Sequence, residues 1–401
     1  MSLLNSLLDD KLWQAFLEHK KASILSEREI KKYQEYINNK EYEEIAFKLI
    51  NDEYEFSNPR RVAINKIRKK KKRIVYIYPQ EENYIFKMLS FLLYKYDYLF
   101  APNLYSFRQR SGCKKALSDL IRQHMKIKHG YKVDIKNYFN SIPPEKILKS
   151  LKKDLQDEKL YNLFEKLLMN KMVLSDGIEI EDEKGIMAGV PLASFLANYY
   201  LKDLDQYFYD NKITYCRYAD DIIVFDSKEK LEEHRNYIIN ILKEKGLEVN
   251  PEKEFYYNPG EEIEFLGFSY KNGTIDLNKN SIRKIKGKIR RSARGLRRWM
   301  IKNNTPPTSP LKAMNKKYNK KFYGRDEDDL SWKYWFFPTI NTDKTLKIVD
   351  EYMQNWQRYI VTGVHNKKNY EKVPYEVLKG AGYRSLVNEY YNFKKNNENI
   401  K

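Results

Sequence analysis

Hydrophobic positions along this chain switch between a period of two and a helical period, and each switch marks an element. Thr214-Tyr215-Cys216 and Ile222-Ile223-Val224-Phe225 flank Tyr218-Ala219-Asp220-Asp221, which predicts a β-hairpin with an acidic tip. Upstream, Val133 and Ile135 with the flanking aromatics of Gly130–Ile142 predict a buried strand interrupted by one acid, Asp134. Phe265-Leu266-Gly267-Phe268 predicts a second tight hairpin, with Gly permitting close backbone approach. Helical character runs through Leu12–Ile37, Glu41–Glu53, Tyr84–Tyr96, Pro144–Lys171 and Lys228–Lys245, the last stopped by Gly246. Ile282, Ile285, Ile289, Leu296 and Trp299 fall at near-helical spacing, whereas Asn303–Pro310 is Pro-rich and reads as a linker. Beyond it, Trp332, Trp335 and Trp356 imply a packed helical unit, and Lys394–Lys401 is expected to fray. The alternation of strand and helix predicts an α+β fold with an antiparallel sheet backed by helices.

The acids give this pattern its chemistry. Two adjacent carboxylates at a turn repel one another and raise each other's pKa unless a cation sits there. Oxygen-only ligands of this kind suit Mg²⁺ or Mn²⁺. Alone, such a turn is also consistent with an ordinary acidic turn. An unpaired Asp134 in a core strand is costly, and a metal shared with Asp220 and Asp221 would give it a partner. Two divalent ions roughly 3.5–4 Å apart, held by three carboxylates, are the hardware for in-line nucleotidyl transfer.

Taken in order, these segments resemble the reverse transcriptases along most of the chain. The resemblance implies a right-hand polymerase with fingers, palm and helical thumb. It makes Asp134, Asp220 and Asp221 the catalytic and metal-binding acids and puts Ile135 beside them in the metal site. Phe139, five residues after Asp134, matches the aromatic gate against a ribose 2′-hydroxyl, so selection of deoxyribonucleotides by steric exclusion is expected. Gly189-Val190-Pro191-Leu192-Ala193-Ser194-Phe195-Leu196-Ala197-Asn198 is similar to the family's third motif. That motif is a loop entering a helix beside the incoming nucleotide. The match assigns Pro191 to the nucleotide site and leaves Ser194 or Asn198 to cap or pin the helix. Leu192 and Ala193 depart from the residues often found there, and the compact spacing resembles retron and defence-associated enzymes. Lys66 and Arg73 resemble the two fingers cations that hold the triphosphate, and Lys253 matches the palm lysine near the active site. Tyr105-Ser106-Phe107-Arg108 resembles the family's Tyr-Gly-Phe-Arg segment, with Ser replacing Gly. Phe265–Phe268 resembles the primer grip. These matches place Arg108, Tyr218 and Gly267 against nucleic acid. Gly380–Leu386 resembles a C-terminal segment of some bacterial and intron members.

Charge points the same way. Lys plus Arg number 75 against 55 for Asp plus Glu, a net +20 with pI near 9.4, which is a footprint for a polyanion. Because Lys, Asn, Ile and Tyr abundance also follows from an AT-rich genome, clustering carries more than the total. Nine Lys or Arg lie between Arg283 and Arg298. One face of that helix can pack while Lys288, Arg290, Arg291 and Arg294 run along a phosphate backbone. A membrane-surface helix is the competing reading, but no apolar span or leader accompanies it, so no membrane partner is expected. Cys113 and Cys216 support neither a disulfide framework nor a zinc site, which fits a reducing, cytoplasmic setting.

The expected organisation is an N-terminal helical extension (1–56), fingers (57–130), a palm (131–270) with an inserted helical segment (143–185), and a helical thumb with a C-terminal region (271–401). The expected activity is RNA-directed DNA polymerisation of the anti-phage defence kind. Its partners would be an RNA template or non-coding RNA, dNTPs, the DNA product and two Mg²⁺, with Mn²⁺ as the alternative. A homo-oligomer is left open. Retron reverse transcription, template-independent or protein-primed addition, and an RNA-binding scaffold with a decayed site are the alternatives.

Overall fold

The computed structural model describes residues 2–22, 27–65, 72–109, 111–324 and 331–398. The chain divides into two compact units, one of Met1–Ala22 with Glu27–Pro259 and the other holding Gly260–Lys401.

The first unit carries strands β1 (Arg60–Asn65), β2 (Lys72–Ile77), β3 (His129–Asp134), β4 (Met172–Ser175), β5 (Ile178–Glu181), β6 (Thr214–Tyr218), β7 (Asp221–Asp226) and β8 (Phe255–Tyr257). They form two four-stranded sheets, ordered β2-β1-β4-β5 and β6-β7-β3-β8. Every pairing in the second sheet is antiparallel. Ile222 to Phe225 of β7 are all fully buried, so this strand has no solvent face. Helices Cys113–Arg122, Lys202–Asp210 and Lys228–Glu244 pack on the sheet. The Ser227 hydroxyl caps the last of these by accepting from the Lys230 amide at 3.4 Å.

At the N-terminus, a 3-10 turn (Leu3–Leu8) and helices Asp10–Ala22, Glu27–Asn38 and Glu43–Ile50 surround a fully buried Trp13. Its ring stacks on Tyr42 at 4.4 Å, and its indole N–H donates to the Leu7 carbonyl. Asp157, the N-cap of helix Glu158–Met169, accepts from the Leu3 amide at 2.6 Å and ties this extension down.

The inserted segment 143–185 is not helical throughout. Helices Pro144–Asp154 and Glu158–Met169 are followed by the β4–β5 hairpin, turned at Asp176-Gly177 with φ of +52° and +86°. Leu174 pairs in parallel with Arg60, so this hairpin extends the β1–β2 sheet. An Asp-Gly turn is a strong hairpin signal, and Ile178-Glu179-Ile180-Glu181 alternates apolar and polar residues after it, although all four are exposed.

In the second unit β9 (Ile263–Phe265), β10 (Phe268–Lys271) and β11 (Thr274–Leu277) form a meander. Helix Lys279–Lys302 follows, capped by Asn278, and buries Ile285, Ile289 and Ala293. Trp299, expected on the packed face, is 45% exposed. The Pro-rich stretch is shorter than the sequence predicts, because helix Thr308–Tyr323 starts within it. Pro310 sits in its first turn, where a missing N–H costs nothing. Helix Lys344–Thr362 ends at Gly363, and Arg297 donates to the Ile360 and Val361 carbonyls of its last turn. Asp350 of the same helix accepts from the Leu386 and Val387 amides, which anchors helix Leu386–Glu398. That helix runs through Lys394, where fraying was expected.

Candidate active site

Strand pairing alone brings the three distant acids together. Asp134 ends β3, Asp221 begins β7, and the two are direct cross-strand partners. Directly opposed residues of an antiparallel pair have Cβ atoms about 4.5–5.5 Å apart. Asp220 sits at the tip between Tyr218 and Asp221, which pair across β6 and β7. The Ile135 amide donates to the Asp220 carbonyl at 3.0 Å and fastens the tip to the end of β3.

The electrostatics follow from that geometry. Burial, then the Asp221 charge, then the Asp134 charge push the Asp220 carboxyl up to about 6. Asp134 is buried, yet Lys253 places its ammonium against Oδ2, and the Asn250 side-chain amide donates to Oδ1 at 3.3 Å. The Asn250 backbone amide holds the Asp134 carbonyl at 2.8 Å.

This donor set suits a divalent cation in its chemistry: three carboxylates on adjoining positions, one of them lifted by burial and by repulsion that a cation would relieve. Among the described residues, however, no three His, Cys, Asp or Glu side chains already form a metal-holding cluster. Lys253 meets the charge of Asp134 instead.

Several supporting residues carry no obvious signature in the sequence. Ala219 takes φ +56°, a left-handed conformation that costs a residue with a Cβ roughly 1–2 kcal/mol. The Ser106 hydroxyl accepts from the Ala219 amide at 2.9 Å. The Asn198 side chain donates to the Ser106 carbonyl at 2.8 Å, so Asn198 pins its helix to the tip rather than capping it. Beneath the tip, Arg217 and Asp205 form a fully buried bidentate pair at 2.8 and 2.5 Å. Arg217 also donates to the carbonyls of Asn198 (3.0 Å), Ala219 (3.4 Å) and Ala197 (3.5 Å). The Tyr138 hydroxyl donates to the Ala197 carbonyl at 2.6 Å. The Asn140 side chain spans the two sheets' connections, donating to the Ile74 carbonyl and accepting from the Ala188 amide.

The other sequence-predicted residues fall in different settings. Phe139 is half-buried with its ring edge-on to Phe107 at 6.2 Å. Pro191 is half-buried and follows Gly189, whose φ is +103°. A Cβ at Gly189 would meet the Tyr76 carbonyl at 3.1 Å, which keeps this loop close against β2. Arg73 is exposed on β2, and Lys66 lies outside the described residues. Tyr218 is half-buried, and burial beside Cys113 and Cys216 raises its hydroxyl pKa.

Arg108 was expected against nucleic acid but is engaged within the fold. It forms a two-pronged pair with Asp97 at 2.8 and 2.9 Å and donates to the carbonyls of Ala101 and Leu104. In the second unit, Gly267 has φ +87°, and its carbonyl accepts from the Asn278 amide and the Ser281 hydroxyl. Its glycine identity is therefore already required by the hairpin. Lys288 and Arg291 line a cavity of about 620 Å³ with Lys317, Lys320 and Lys321. Arg290 is half-buried, and Arg294 is exposed with its guanidinium 5.7 Å from the Trp356 ring centroid.

Comparison with known proteins covers the same stretch. The family model described as "Reverse transcriptase (RNA-dependent DNA polymerase)" matches residues 64–270, just over half of the chain. The chain is 27% identical over 166 residues to the "Uncharacterized 91 kDa protein in cob intron" of Schizosaccharomyces pombe, covering 41% of this chain and 20% of that protein. It is 28% identical over 123 residues to the Retron Ec83 reverse transcriptase of Escherichia coli, covering 29% of this chain and 38% of that protein. The matched stretches thus span well under half the length of these relatives. Among solved structures, telomerase from Candida tropicalis, truncated from its C-terminal domain, aligns with TM-score 0.43 at 13% identity, covering 56% of this chain and 55% of that one. Telomerase from Candida albicans, in complex with a TWJ fragment of telomeric RNA, aligns with TM-score 0.44 at 12% identity, covering 86% and 68%. Among the described residues no helix is long and apolar enough to cross a membrane.

Proposed function

The chain belongs to the reverse transcriptase family, and we propose that it has an α+β right-hand polymerase fold and is an RNA-directed DNA polymerase copying an associated non-coding RNA in anti-phage defence. The observation that carries the catalytic reading is Asp134 set directly across from Asp221, with the Asp220 carboxyl lifted to about 6 between them. In this reading the three aspartates hold two Mg²⁺ ions, with Ile135 beside them. When bound, the ions supply Lewis-acid activation of a 3′-hydroxyl and neutralise the leaving pyrophosphate. The protein's own part is positioning and charge. Arg73 and Lys66 hold the triphosphate, Lys253 exchanges its contact with Asp134 for a phosphate oxygen, and Pro191 shapes the nucleotide pocket. Tyr218, Gly267 and the cations of helix Lys279–Lys302 contact the nucleic acid.

The compact third motif supports the defence setting. Similarity to the Retron Ec83 enzyme favours retron reverse transcription as the second reading. The test incubates purified protein with dNTPs and Mg²⁺, with and without its co-purifying RNA, and sequences the product. DNA complementary to one RNA supports the proposal, and a fixed start within that RNA favours the retron reading. Homopolymer made without template would replace it with terminal addition, and no product at all would leave an RNA-binding scaffold.

Two further outcomes are expected. Phe139→Ala opens space beside the sugar, so ribonucleotide incorporation relative to deoxyribonucleotide should rise about 10- to 100-fold in single-nucleotide extension assays. Unchanged discrimination would remove Phe139 from the gate. The double variant Lys288→Ala, Arg291→Ala should weaken binding of RNA–DNA duplexes of any sequence. It should also flatten the slope of log affinity against log salt by about 1 per lost phosphate contact. An unchanged slope would show that this face carries no backbone.

A further inference from the structure

Outside the proposed polymerase site, a buried cation in the second unit lacks a counter-charge among the described residues. Arg358, on helix Lys344–Thr362, is 2% exposed. Its Nε donates to the Val373 carbonyl at 3.0 Å, and its guanidinium lies 4.0 Å from the Tyr370 ring centroid. Its Nη1 is buried with no hydrogen-bond partner among the described residues. Desolvation holds its pKa below the ordinary arginine value, opposed only by Tyr370 and Tyr383. Buried charges are ordinarily paired, because leaving one unmatched costs several kcal/mol. A fixed cation with a spare donor therefore favours an anion beside it.

Space for one adjoins it. Arg358 lines a cavity of about 440 Å³, within the range of small-ligand sites. Lys367 and Asn366, both exposed on the loop after Gly363, line it from the solvent side. The Asn366 side-chain Oδ1 accepts from the Lys368 amide, so its NH₂ is the side-chain group it can still offer. The Asn355 Oδ1 likewise accepts from the Tyr370 hydroxyl, which leaves its NH₂ as a donor. Glu351 is the one acid in the lining, exposed two turns before Arg358 on the same helix.

We infer that this cavity binds a phosphate monoester, taken from a free nucleotide or from the phosphorylated end of a strand. A guanidinium fork, an ammonium and two amide donors suit an ion with three terminal oxygens and nearly two negative charges. A carboxylate, with one charge and two oxygens, would leave donors unused. The site is separate from the proposed catalytic acids, so its failure would leave the polymerase reading standing.

The test uses the full chain, freed of nucleic acid and held in EDTA so that no synthesis occurs. Calorimetric affinities are compared within two pairs: dAMP against deoxyadenosine, and a short oligodeoxynucleotide with a 5′-phosphate against the same strand with a 5′-hydroxyl. At least one pair should favour the phosphate by tenfold or more, about 1.4 kcal/mol, as expected for charge-assisted hydrogen bonds. A preference in the first pair identifies a free nucleotide, and in the second a strand end. Lys367→Glu and Arg358→Gln should each erase that preference. Should Arg358→Gln fail to fold, Lys367→Glu decides alone, since its side chain is exposed. No phosphate preference in either pair, or a preference that survives Lys367→Glu, overturns the assignment.

Discussion

Replacing Asp220 with asparagine is expected to abolish DNA synthesis and, in the same protein, to raise thermal stability when no metal is present. The loss of activity follows from removing one of three proposed metal-binding carboxylates. A contribution of several kcal/mol to transition-state stabilisation corresponds to a loss of about 10³-fold or more. The gain in stability follows from burial of the charge and, second, from its repulsion by Asp221 and Asp134. Lifting the carboxyl from 3.8 to about 6 reflects about 3 kcal/mol of unfavourable environment for the charged form at neutral pH. Asparagine carries no charge, so a stabilisation on the order of 1–3 kcal/mol is expected. The pH dependence has a definite sign. The folded pKa lies above the unfolded value, so the folded chain binds the extra proton between pH 3.8 and about 6. The contribution of this group to stability therefore grows as pH falls through that window. Melting curves in EDTA at pH 7.5 and 5.5 should show this gain in the wild type and not in Asp220→Asn. RNA retention should survive the substitution. Loss of fold or of RNA binding together with activity would mark Asp220 as a structural acid.

That duality was legible in the sequence, because both motifs announce themselves locally. An acid in an apolar strand and a double acid at a turn each ask for a partner, and antiparallel pairing of β3 with β7 is the simplest way to supply one. The scaffolding beneath them was harder to read. Arg217 stands in Thr214–Tyr218, where every neighbour up to Cys216 is buried. A cation in such a strand implies a buried carboxylate, but eleven residues of helix, turn and strand lie between it and Asp205, and helical spacing alone does not select that acid over Asp203. Arg108 was legible only in part. Its segment resembles a nucleic-acid contact, and nothing in that motif points to its pair with Asp97, which lies in a 3-10 turn (Leu93–Leu99) just past the helix read over Tyr84–Tyr96. The β4–β5 hairpin was legible, since Ile178-Glu179-Ile180-Glu181 alternates after Asp176-Gly177, but two four-residue strands are short enough to be passed over beside the long helical pattern that precedes them.

The buried pair gives the second large effect. Arg217→Met should cost about 3–5 kcal/mol, because it strands Asp205 without a counter-charge in a fully buried position. Joining it to Asp205→Leu removes both charges, and such replacements of a buried pair are often neutral or stabilising by about 1–4 kcal/mol. The double variant should therefore melt near the wild-type temperature, less the loss of the Tyr215 hydrogen bond to Asp205. Its activity should not return with its fold. Arg217 is the donor that joins the carbonyl of Ala219, next to Asp220, to the carbonyls of Ala197 and Asn198 in the helix proposed to flank the nucleotide. Methionine supplies no donor, so the tip loses its tether, and small misplacements of a catalytic group can cost about 10²-fold. The expected signature is a well-folded protein with kcat down by about 10- to 100-fold and a higher Mg²⁺ concentration for half-maximal synthesis. Arg217→Lys keeps the charge but lacks the planar fork, so it should fall between wild type and the double variant in Mg²⁺ requirement. A double variant that is stable and polymerises with wild-type kcat and Mg²⁺ dependence would reduce Arg217 to a purely structural ion, and the positioning of the acids would then rest on Ser106, the Ile135 and Asn250 contacts and the β3–β7 register.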